Sequence, residues 1–597
     1  MVQIEASISE SVGQEVPIPR NATAEAEPKN IKQPDVDGEY VAAEKLNKEL
    51  INTEFAPIME PGHRRVSKDT ADGILFQFED EPSYYYVVTT YISYLVLLII
   101  GHVRDFFGKR FHKDDYKYLK DSDGYAPLYN HFDNFYVRRL KFRINDCFSR
   151  PTMGVPGRMI RLLNRYSTDN NSSFKLTGDT SLSLNVSSYN YLGFAQSHGP
   201  CAVAVEKAVR ENGLSTCSAS TTCGNYGIHL EVEELTAKFV GKPASLIFSQ
   251  GFGTNSTVFS ALMGPGSLII SDELNHASIR FGSRQSGANI RVFKHNNMTD
   301  LERVLREVIS QGQPRTHRPY TKILVVIEGL YSMEGNFADL PRIMELKKRY
   351  KFYLFIDEAH SIGAIGPHGG GICDYFGIPT TDVDILMGTF TKSFGAAGGY
   401  VASSLEIVNK LRVTNPGYIY AESMSPAVLA QIKSSFLEIM DQSPGSIGLE
   451  RIERLAFNSR YVRLGLKRLG FIIYGNDDSP VVPLLLYNPG KINAFSHEML
   501  KRGVSIVVVG YPACPLLTSR VRFCFSASHN KADLDYILRA CDEIGEKLQL
   551  KISSGAAGED VGKTNFENIK KKQGWYSPPR WSIEDVISRG VEDTLKQ

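Results

Sequence analysis

Between about residues 180 and 410, short apolar runs alternate with stretches of helical character. Turn residues bound these runs, which are rich in branched and aromatic side chains: SLIF (Ser245–Phe248), SLIISD (Ser267–Asp272), KILVVIEG (Lys322–Gly329), YLFIDEAH (Tyr353–His360) and ILMGTF (Ile385–Phe390). Nearly continuous apolar runs are typical of parallel strands that are buried on both faces. The alternation therefore predicts an α/β domain built on a mainly parallel sheet.

Helical signals lie between the runs. Residues 299–311 place four apolar side chains on one helical face, and Thr299 and Glu302 have the spacing of a capping box. A second helix is predicted to begin near Asp339, a capping residue followed closely by Pro341. After about residue 415 the pattern changes to a long helical stretch, three more strand-like runs and another helix, which predicts a smaller α+β domain.

The first 83 residues hold 17 acidic and 8 basic residues with little apolar periodicity, so they are predicted to form a disordered acidic tail without a cleaved leader. The predicted organisation is an N-terminal tail (1–83), a membrane helix (84–103), a linker and N-terminal segment packing on the catalytic body (104–180), a large domain (181–415), a small α+β domain (416–550) and a C-terminal extension (551–597).

The stretch from Tyr84 to Val103 is 20 residues long and contains no Asp, Glu, Lys or Arg. This is about the length needed to cross a hydrocarbon core of roughly 30 Å. Tyrosines at its start and basic residues after its end are typical of membrane borders, and the positive-inside rule places the downstream body in the cytosol. Thr89, Thr90 and Ser93 lower its apolar character, so an interfacial helix and a buried core helix remain alternatives.

Several functions are disfavoured by composition and by missing motifs. The chain has 67 basic and 66 acidic residues, so no net field attracts nucleic acid. Its eight cysteines form no CxxC pair, which indicates a reducing compartment and no metal site. The letters DEAH spell a helicase box, but the phosphate loop GxxxxGK[ST] is missing, as are HExxH and GxSxG.

Two charged residues follow predicted strands and suggest a specific chemistry. Asp357 ends one apolar run, and Lys392 lies 35 residues later in GTFTKSFGAAGG (Gly388–Gly399). Ligands bind at the carboxyl ends of such sheets. A lysine that forms a Schiff base, together with an aspartate facing a pyridinium nitrogen, is the pair that pyridoxal 5'-phosphate (PLP) requires. The alternative is a loop lysine and an unrelated strand-end aspartate.

Five ordered motifs, which together carry six candidate site residues, make residues 120–545 similar to a known family. They are SYNYLGF with Asn190, SDELNHASIR with His276, EGLYSMEG with Ser332, DEAH with Asp357 and His360, and GTFTKSFG with Lys392. In these motifs the chain resembles the PLP-dependent α-oxoamine synthases, which are fold type I enzymes. The resemblance implies a PLP-binding large domain and a smaller C-terminal domain.

The resemblance also implies roles for individual residues. Lys392 would hold PLP and then act as the base at the amino acid's Cα, Asp357 would face the pyridine nitrogen, His360 would bond the ring's phenolic oxygen and His276 would stack on the ring. Further contacts to the cofactor would come from Gly251, Phe252, Ser332, Thr389 and Thr391. Arg522 would hold the substrate carboxylate, with Arg520 as the alternative, and Asn190 would be a second substrate contact.

The implied reaction is decarboxylative condensation of L-serine with palmitoyl-CoA to 3-ketosphinganine, carbon dioxide and CoA, at the endoplasmic reticulum membrane with the catalytic domain facing the cytosol. The resemblance implies two kinds of partner, a homologous subunit without the PLP lysine, forming a heterodimer, and small regulatory membrane subunits. Two alternatives are a sister synthase that uses glycine or alanine with another acyl-CoA, and a non-catalytic membrane scaffold.

Overall fold

The computed structural model of the chain describes residues 52–69, 81–111, 141–222, 224–511, 513–553 and 581–591, with a few isolated positions between them. Its strands are β1 Thr152–Met153, β2 Met159–Tyr166, β3 Lys175–Asn185, β4 Ala244–Phe248, β5 Leu268–Asp272, β6 Asn289–Phe293, β7 Ile323–Glu328, β8 Tyr353–Asp357, β9 Ile385–Thr389, β10 Gly399–Ser403, β11 Val481–Leu485, β12 Val504–Ser505, β13 Val507–Val509 and β14 Arg520–Cys524.

The helices of the described residues surround these strands. They are α1 Tyr84–Phe111, α2 Pro200–Asn212, α3 Gly227–Val240, α4 Gly251–Leu262, α5 Ala277–Gln285, α6 Met298–Gln311, α7 Leu340–Tyr350, α8 Ile372–Phe376, α9 Leu405–Thr414, α10 Pro416–Ile419, α11 Pro426–Ile439, α12 Gly448–Arg468, α13 Pro489–Lys501, α14 Lys531–Lys547 and α15 Ile583–Arg589.

A seven-stranded sheet forms the centre, in the order β4-β10-β9-β8-β7-β5-β6. All neighbouring pairs are parallel except those of β10, which is antiparallel to β4 and to β9. The predicted mainly parallel sheet is therefore confirmed. Successive side chains of a strand enter opposite cores: Leu268 and Ile270 face one apolar cluster, and Ile269 faces the other. Burial on both faces explains why these strands read as unbroken apolar runs.

Helices α6 and α7 lie where the sequence predicts them, but one cap differs. Asp339 caps α7 by accepting from the Arg342 N–H. The predicted capping box of Thr299 and Glu302 is wrong, because α6 begins one residue earlier and Asn297 accepts from the Asp300 N–H at 2.9 Å. Glu302 instead accepts hydrogen bonds from Arg349 and Tyr350 of α7 at 2.8 and 2.7 Å.

Two smaller sheets complete the architecture. β1, β2 and β3 pair antiparallel, and β12 joins β3 in parallel to make a four-stranded sheet. β11, β14 and β13 form an antiparallel three-stranded sheet, which shares a core with α12, α13 and α14. The segment expected to be a linker therefore contributes strands, whose polar exposed faces gave little apolar signal.

Residues 52–69 belong to the predicted disordered tail, yet they pack against the body. Phe55 and Ala56 are buried, and the Ala56 N–H donates to the Ser528 carbonyl at 2.9 Å. The acidic composition of the whole segment hid this short apolar contact. The prediction for residues 1–51 lies outside the described residues.

Helix α1 contains the uncharged stretch and continues eight residues beyond Val103. Among the described helices, it alone is long and apolar enough to cross a membrane. One narrow side contacts the body: Tyr94 Oη lies 3.4 Å from Ser519 Oγ, and Asn488 Nδ2 donates to Ser93 Oγ at 2.9 Å. Most of its other apolar side chains are exposed, so it is not a core helix.

Gly282 fixes the close approach of α5 to α4, two helices that carry site residues. A Cβ at this position would lie 2.3 Å from the Asn255 carbonyl oxygen, which is backbone and cannot turn aside. Gly282→Ala is therefore expected to destabilise the protein by about 1–3 kcal/mol through overpacking, measured by thermal unfolding. Gly227→Ala is the matched control, because no atom lies within 4 Å of its added Cβ. Equal losses in the two variants would contradict the assignment.

Candidate active site

Lys392 lies in the loop that joins β9 to β10, at the carboxyl edge of the central sheet. The loop is held by Ser393 Oγ, which donates to the Ile362 carbonyl at 2.7 Å, and by the Phe390 N–H, which donates to the Gly398 carbonyl at 3.0 Å. Burial lowers the pKa of the Lys392 amine to about 8, although the charges of Asp357 and Glu328 act in the opposite direction. A neutral, nucleophilic amine is therefore accessible near physiological pH.

Asp357 is the last residue of β8 and is buried. Its Oδ2 accepts from Asn255 Nδ2 of α4 at 2.7 Å, and its Oδ1 accepts from the Ala359 N–H at 2.9 Å. Asn255 Nδ2 also lies 3.1 Å from Ser278 Oγ of α5. Two neutral donors thus fix the carboxylate, and no basic side chain forms an ion pair with it among the described residues, which leaves its charge to act on Lys392 and on a bound cation.

Glu328 ends β7 and stands opposite Asp357 in the strand register. Its Oε1 accepts from the His276 N–H at 2.5 Å. Burial, together with the nearby Asp357 charge, raises the pKa of Glu328 well above its ordinary value. Glu328 and Asp357 are therefore neighbouring carboxyl groups at this edge, and of the two Glu328 is the one that burial drives toward the neutral form.

His276 caps the N-terminus of α5, where its Nδ1 lies 2.7 Å from Ser278 Oγ and accepts from the Ser278 N–H at 3.2 Å. These contacts orient the ring, and its edge faces Phe252 with 6.1 Å between the ring centroids. Burial lowers the pKa of His276, and the positive charge of Lys392 adds to that effect. His276 is therefore a neutral, oriented flat ring at the sheet edge.

His360 follows β8 and is enclosed by two tyrosines. Tyr191 Oη lies 2.8 Å from its Nδ1, and the ring of Tyr189 meets its ring edge-on at 5.0 Å. Burial lowers the pKa of His360 well below its ordinary value, and Lys392 and Arg522 lower it further. Tyr189 also faces Arg522 and Lys392, whose cationic groups lie 4.7 and 5.8 Å from its ring centroid.

Gly251 begins α4 and packs against the end of β9, since an added Cβ would lie 3.1 Å from Thr389 Cγ2. Thr391 Oγ1 donates to Thr389 Oγ1 at 3.2 Å, so the two predicted hydroxyls are neighbours. The first N–H groups of a helix have no partners within it and form an anion-binding end. The Phe252 side chain is exposed, so its expected contribution is its backbone N–H.

The two candidate arginines occupy different settings on β14. The guanidinium of Arg520 already has hydrogen-bond partners within the protein. Its Nε donates to the Thr518 carbonyl at 2.8 Å and its Nη1 to the Met333 carbonyl at 2.7 Å, and Nη1 also lies 3.4 Å from Glu334 Oε1. Arg522 stacks on Tyr189, and its buried Nε has no hydrogen-bond partner within the described residues. Because a buried N–H of its guanidinium is unpartnered, Arg522 is favoured over Arg520 as the residue that binds a carboxylate.

Ser332 and Asn190 fit their predicted roles less directly. Ser332 lies half-buried in the turn after β7, next to Met333, whose Sδ is 3.6 Å from Arg522 Nη1. Asn190 is buried; its Nδ2 donates to the Pro156 carbonyl at 3.0 Å and its Oδ1 accepts from the Ala195 N–H at 3.2 Å. These bonds shape the backbone around Tyr189 and Tyr191, and they give the predicted substrate contact of Asn190 no support.

Comparisons with known proteins agree with this arrangement. The family model "Aminotransferase class I and II" matches residues 183–541. Serine palmitoyltransferase 2 of Schizosaccharomyces pombe is 82% identical over 94% of this chain and 93% of its own length. Serine palmitoyltransferase 2 of Saccharomyces cerevisiae is 50% identical over 90% of this chain and 94% of its own. The chain belongs to the serine palmitoyltransferase 2 family.

Solved structures extend the serine palmitoyltransferase likeness to the fold. A serine palmitoyltransferase from S. paucimobilis with a bound PLP–myriocin aldimine is 28% identical, with a TM-score of 0.61 over 70% of this chain and 98% of that one. A structure of SPT with a PLP internal aldimine gives a TM-score of 0.59 at 28% identity, over 68% of this chain and 94% of that one. The type I fold predicted from the sequence is thus confirmed.

Four residues of this serine palmitoyltransferase family member were missed from the sequence: Tyr189, Tyr191, Asn255 and Glu328. The tyrosines flank Asn190, and Glu328 ends an apolar run just as Asp357 does. A rule that examines every polar residue at a strand end would have found Glu328. Asn255 gives no such signal, because only the packing of α4 against β8 brings it to Asp357.

The lowered pKa of Lys392 predicts its reactivity in the cofactor-free protein. The neutral fraction of the amine grows as pH rises through about 8. Ordinary lysines lose their proton only at about pH 10.4. Labelling of Lys392 by an amine-directed reagent such as trinitrobenzenesulfonate, followed by peptide mass spectrometry, is therefore expected to be half-maximal near pH 8. Labelling that rises in step with the exposed lysines would contradict this prediction.

Proposed function

We propose that this chain is the catalytic subunit of serine palmitoyltransferase. It would condense L-serine with palmitoyl-CoA, releasing carbon dioxide and CoA and giving 3-ketosphinganine, the first step of sphingolipid biosynthesis. The single observation that carries the proposal is Lys392, a half-buried lysine whose pKa is lowered to about 8 beside Asp357, in a chain 82% identical to a protein named serine palmitoyltransferase 2. A non-catalytic scaffold would have no chemical use for this pair.

The site fits PLP on its own chemistry. Lys392 can bind the aldehyde, the Asp357 carboxylate can keep the pyridine nitrogen protonated, and the Gly251 end of α4 with Thr389 and Thr391 offers donors to the phosphate. When bound, PLP supplies an electron sink for the charge that develops at the amino acid's Cα. His276 offers a flat neutral ring for its face.

His360 would act as a donor to the cofactor's phenolic oxygen, and Tyr191 fixes which nitrogen carries the proton. Burial raises the pKa of Tyr191 well above its ordinary value, so its hydroxyl keeps the proton that it can donate to Nδ1 of His360. The neutral imidazole then carries its own proton on Nε2, where it can be donated. Tyr191 is thus proposed as the residue that sets this tautomer.

Arg522 would hold the serine carboxylate, and Lys392 would take the proton from Cα. The unpartnered Nε of Arg522 and the stacking of its guanidinium on Tyr189 support this role. Because the Lys392 amine also lies 5.8 Å from the Tyr189 ring centroid, the carboxylate site and the base lie beside the same ring. Arg522 and Lys392 can therefore act on neighbouring groups of one amino acid.

The proposal is tested by an absorbance titration of the purified PLP-loaded enzyme, with its co-purifying partners, against L-serine, glycine and L-alanine. The visible band of the lysine-bound cofactor is expected to shift selectively with L-serine, and 3-ketosphinganine is expected when palmitoyl-CoA is added. A selective response to glycine or alanine would favour a sister synthase. A folded protein without any visible band after incubation with PLP would favour a scaffold.

Arg522→Gln is the informative variant in the same titration, since it keeps polarity and removes the charge. The half-saturating L-serine concentration is expected to rise by about ten- to a hundredfold, because a charge-assisted bond to the carboxylate contributes about 1.5–3 kcal/mol. The dependence on palmitoyl-CoA is expected to change little. An unchanged serine dependence in Arg522→Gln would move the carboxylate role to Arg520.

Two observations support a multi-subunit enzyme: the relatives carry the numbered name serine palmitoyltransferase 2, and apolar side chains are exposed beside the site. Phe252, Leu274 and Phe281 are exposed apolar side chains beside His276, and a contiguous apolar rim at a site favours contact with another chain. We propose that a homologous subunit without the PLP lysine covers this rim to form a heterodimer. Small regulatory membrane subunits are proposed to join the complex.

We propose that the enzyme lies at the endoplasmic reticulum membrane with its catalytic domain in the cytosol. The contacts of α1 favour an interfacial helix over a spanning one. A spanning helix with the body on the side of its basic end would carry its N-terminal half across the bilayer, away from the body. Instead, Ser93 and Tyr94 contact the body, and Lys491 lies 5.7 Å from the Tyr86 ring centroid.

Cysteine labelling in sealed microsomes distinguishes these arrangements. Ser83→Cys lies just before α1, and Lys109→Cys lies near its end. An impermeant maleimide added outside is expected to label both positions, since an interfacial helix keeps both ends on the cytosolic side. Labelling at residue 83 that requires detergent, with free labelling at residue 109, would establish a spanning helix instead.

A further inference from the structure

The loop that carries Tyr189 and Tyr191 is held from behind by the N-terminal segment of the chain. We call residues 188–197 the tyrosine loop and residues 52–56 the strap. Glu54 is buried, and its carboxylate accepts from the Ser197 N–H at 2.8 Å and from the Ser197 hydroxyl at 2.6 Å. His198 Nδ1 lies 2.9 Å from the same carboxylate, so Glu54 fixes the far end of the tyrosine loop.

Phe55 contacts two arginines of α12, and one of them, Arg451, bonds the middle of the tyrosine loop. Its ring lies between Arg451 and Arg454, whose guanidinium carbons are 4.3 and 4.6 Å from the ring centroid. Arg451 donates from Nη1 to the Leu192 carbonyl at 2.7 Å. Phe55 also touches the loop directly, since a Cβ on Gly193 would lie 2.8 Å from Phe55 Cδ2.

Ala56 joins the strap to the loop that follows β14. Its N–H donates to the Ser528 carbonyl at 2.9 Å, and its carbonyl accepts from Arg454 Nη2 at 2.7 Å. The loop after β14 binds the tyrosine loop in turn, because the Ala527 N–H donates to the Tyr191 carbonyl at 2.7 Å. The strap therefore contacts the tyrosine loop and the loop that follows β14, the strand that carries Arg522.

Burial makes this cluster sensitive to the loss of any member. Desolvation lowers the pKa of Arg451 and of Arg454 to about 10, so both remain charged at neutral pH while largely removed from water. The Phe55 ring contacts both guanidinium groups. Backbone carbonyls of the tyrosine loop and of the strap accept hydrogen bonds from them, which replaces hydrogen bonds to water. Without the strap, water would again reach the two guanidinium groups, and Arg451 would no longer be held on the Leu192 carbonyl of the tyrosine loop.

We propose that Glu54 and Phe55 are positioning residues of the reaction, which set the tyrosine loop so that Tyr191 orients His360 and Tyr189 orients Arg522. This inference rests on the proposed function. It assigns a task in catalysis to a part of the chain that lies outside the family-model match at residues 183–541.

The test compares Phe55→Ala with His63→Ala in the full-length complex. His63 is the matched control because it belongs to the same N-terminal segment and packs on the same helix, α12. Its ring stacks on Phe457, and its Nε2 lies 3.4 Å from Glu60 Oε2; both residues lie outside the tyrosine loop. Phe55→Tyr keeps the aromatic face and serves as the conservative variant.

Hydrogen exchange of the tyrosine-loop amides is measured first, on cofactor-free protein. Phe55→Ala is expected to speed this exchange about tenfold or more, whereas His63→Ala and Phe55→Tyr are expected to match the wild type. In the PLP-loaded enzyme, the half-saturating L-serine concentration is expected to rise about tenfold in Phe55→Ala, with an unchanged palmitoyl-CoA dependence.

Equal effects of Phe55→Ala and His63→Ala on both measurements would overturn the inference, since the strap would then act on stability alone. Should Phe55→Ala fail to fold, Glu54→Gln answers the same question, because it keeps the side-chain shape and weakens only the bonds to Ser197 and His198. A wild-type enzyme without any serine response would refute the proposed function, while the exchange measurement would still decide whether the strap holds the loop.

Discussion

The burial of opposite charges at one edge of the sheet is the constraint on which this site depends. Asp357, Glu328 and Lys392 are brought together where β7, β8 and β9 end; the two carboxyl groups are buried and the lysine is half-buried. A lone buried charge would cost several kcal/mol, so each group needs a partner or a donor. The central sheet provides the positions, and the starts of α4 and α5 provide Asn255 and the His276 N–H. The mixed sheet, the helix caps and the close contact at Gly282 all contribute to keeping these groups in place.

Much of the large domain could be predicted from the sequence because a doubly covered parallel strand leaves an unbroken apolar run. β4, β5, β7, β8 and β9 have that signature, and the polar residues that follow them gave Lys392, Asp357 and His360. β2 and β3 lack it because much of each strand is exposed, and β10 was missed because it continues directly from the glycine-rich stretch that contains Lys392. The strap was missed because two buried residues, Phe55 and Ala56, stand in an acidic segment. Contacts between distant segments, such as Asn255 with Asp357, have no local signal.

The two domains contribute unequal chemistry. The large domain supplies the groups that would meet the cofactor, whereas β14 supplies Arg522, which stacks on Tyr189 of the tyrosine loop. In the proposed mechanism, selection of the amino acid would depend on how β14 and that loop are held together, and proton transfer would depend on the sheet edge. A substitution near Arg522 would therefore alter substrate preference while Lys392 keeps its surroundings.

The bond between Ala56 and Ser528 has a consequence for biosynthesis. It joins a segment made early on the ribosome to one made near the end, and β4 likewise waits for β10 before it can enter the sheet. Chains with so many non-local contacts fold slowly and expose apolar surface meanwhile. The nascent protein is therefore expected to need chaperone protection until translation is nearly complete, and truncation before β14 would leave a chain that cannot close its own catalytic centre.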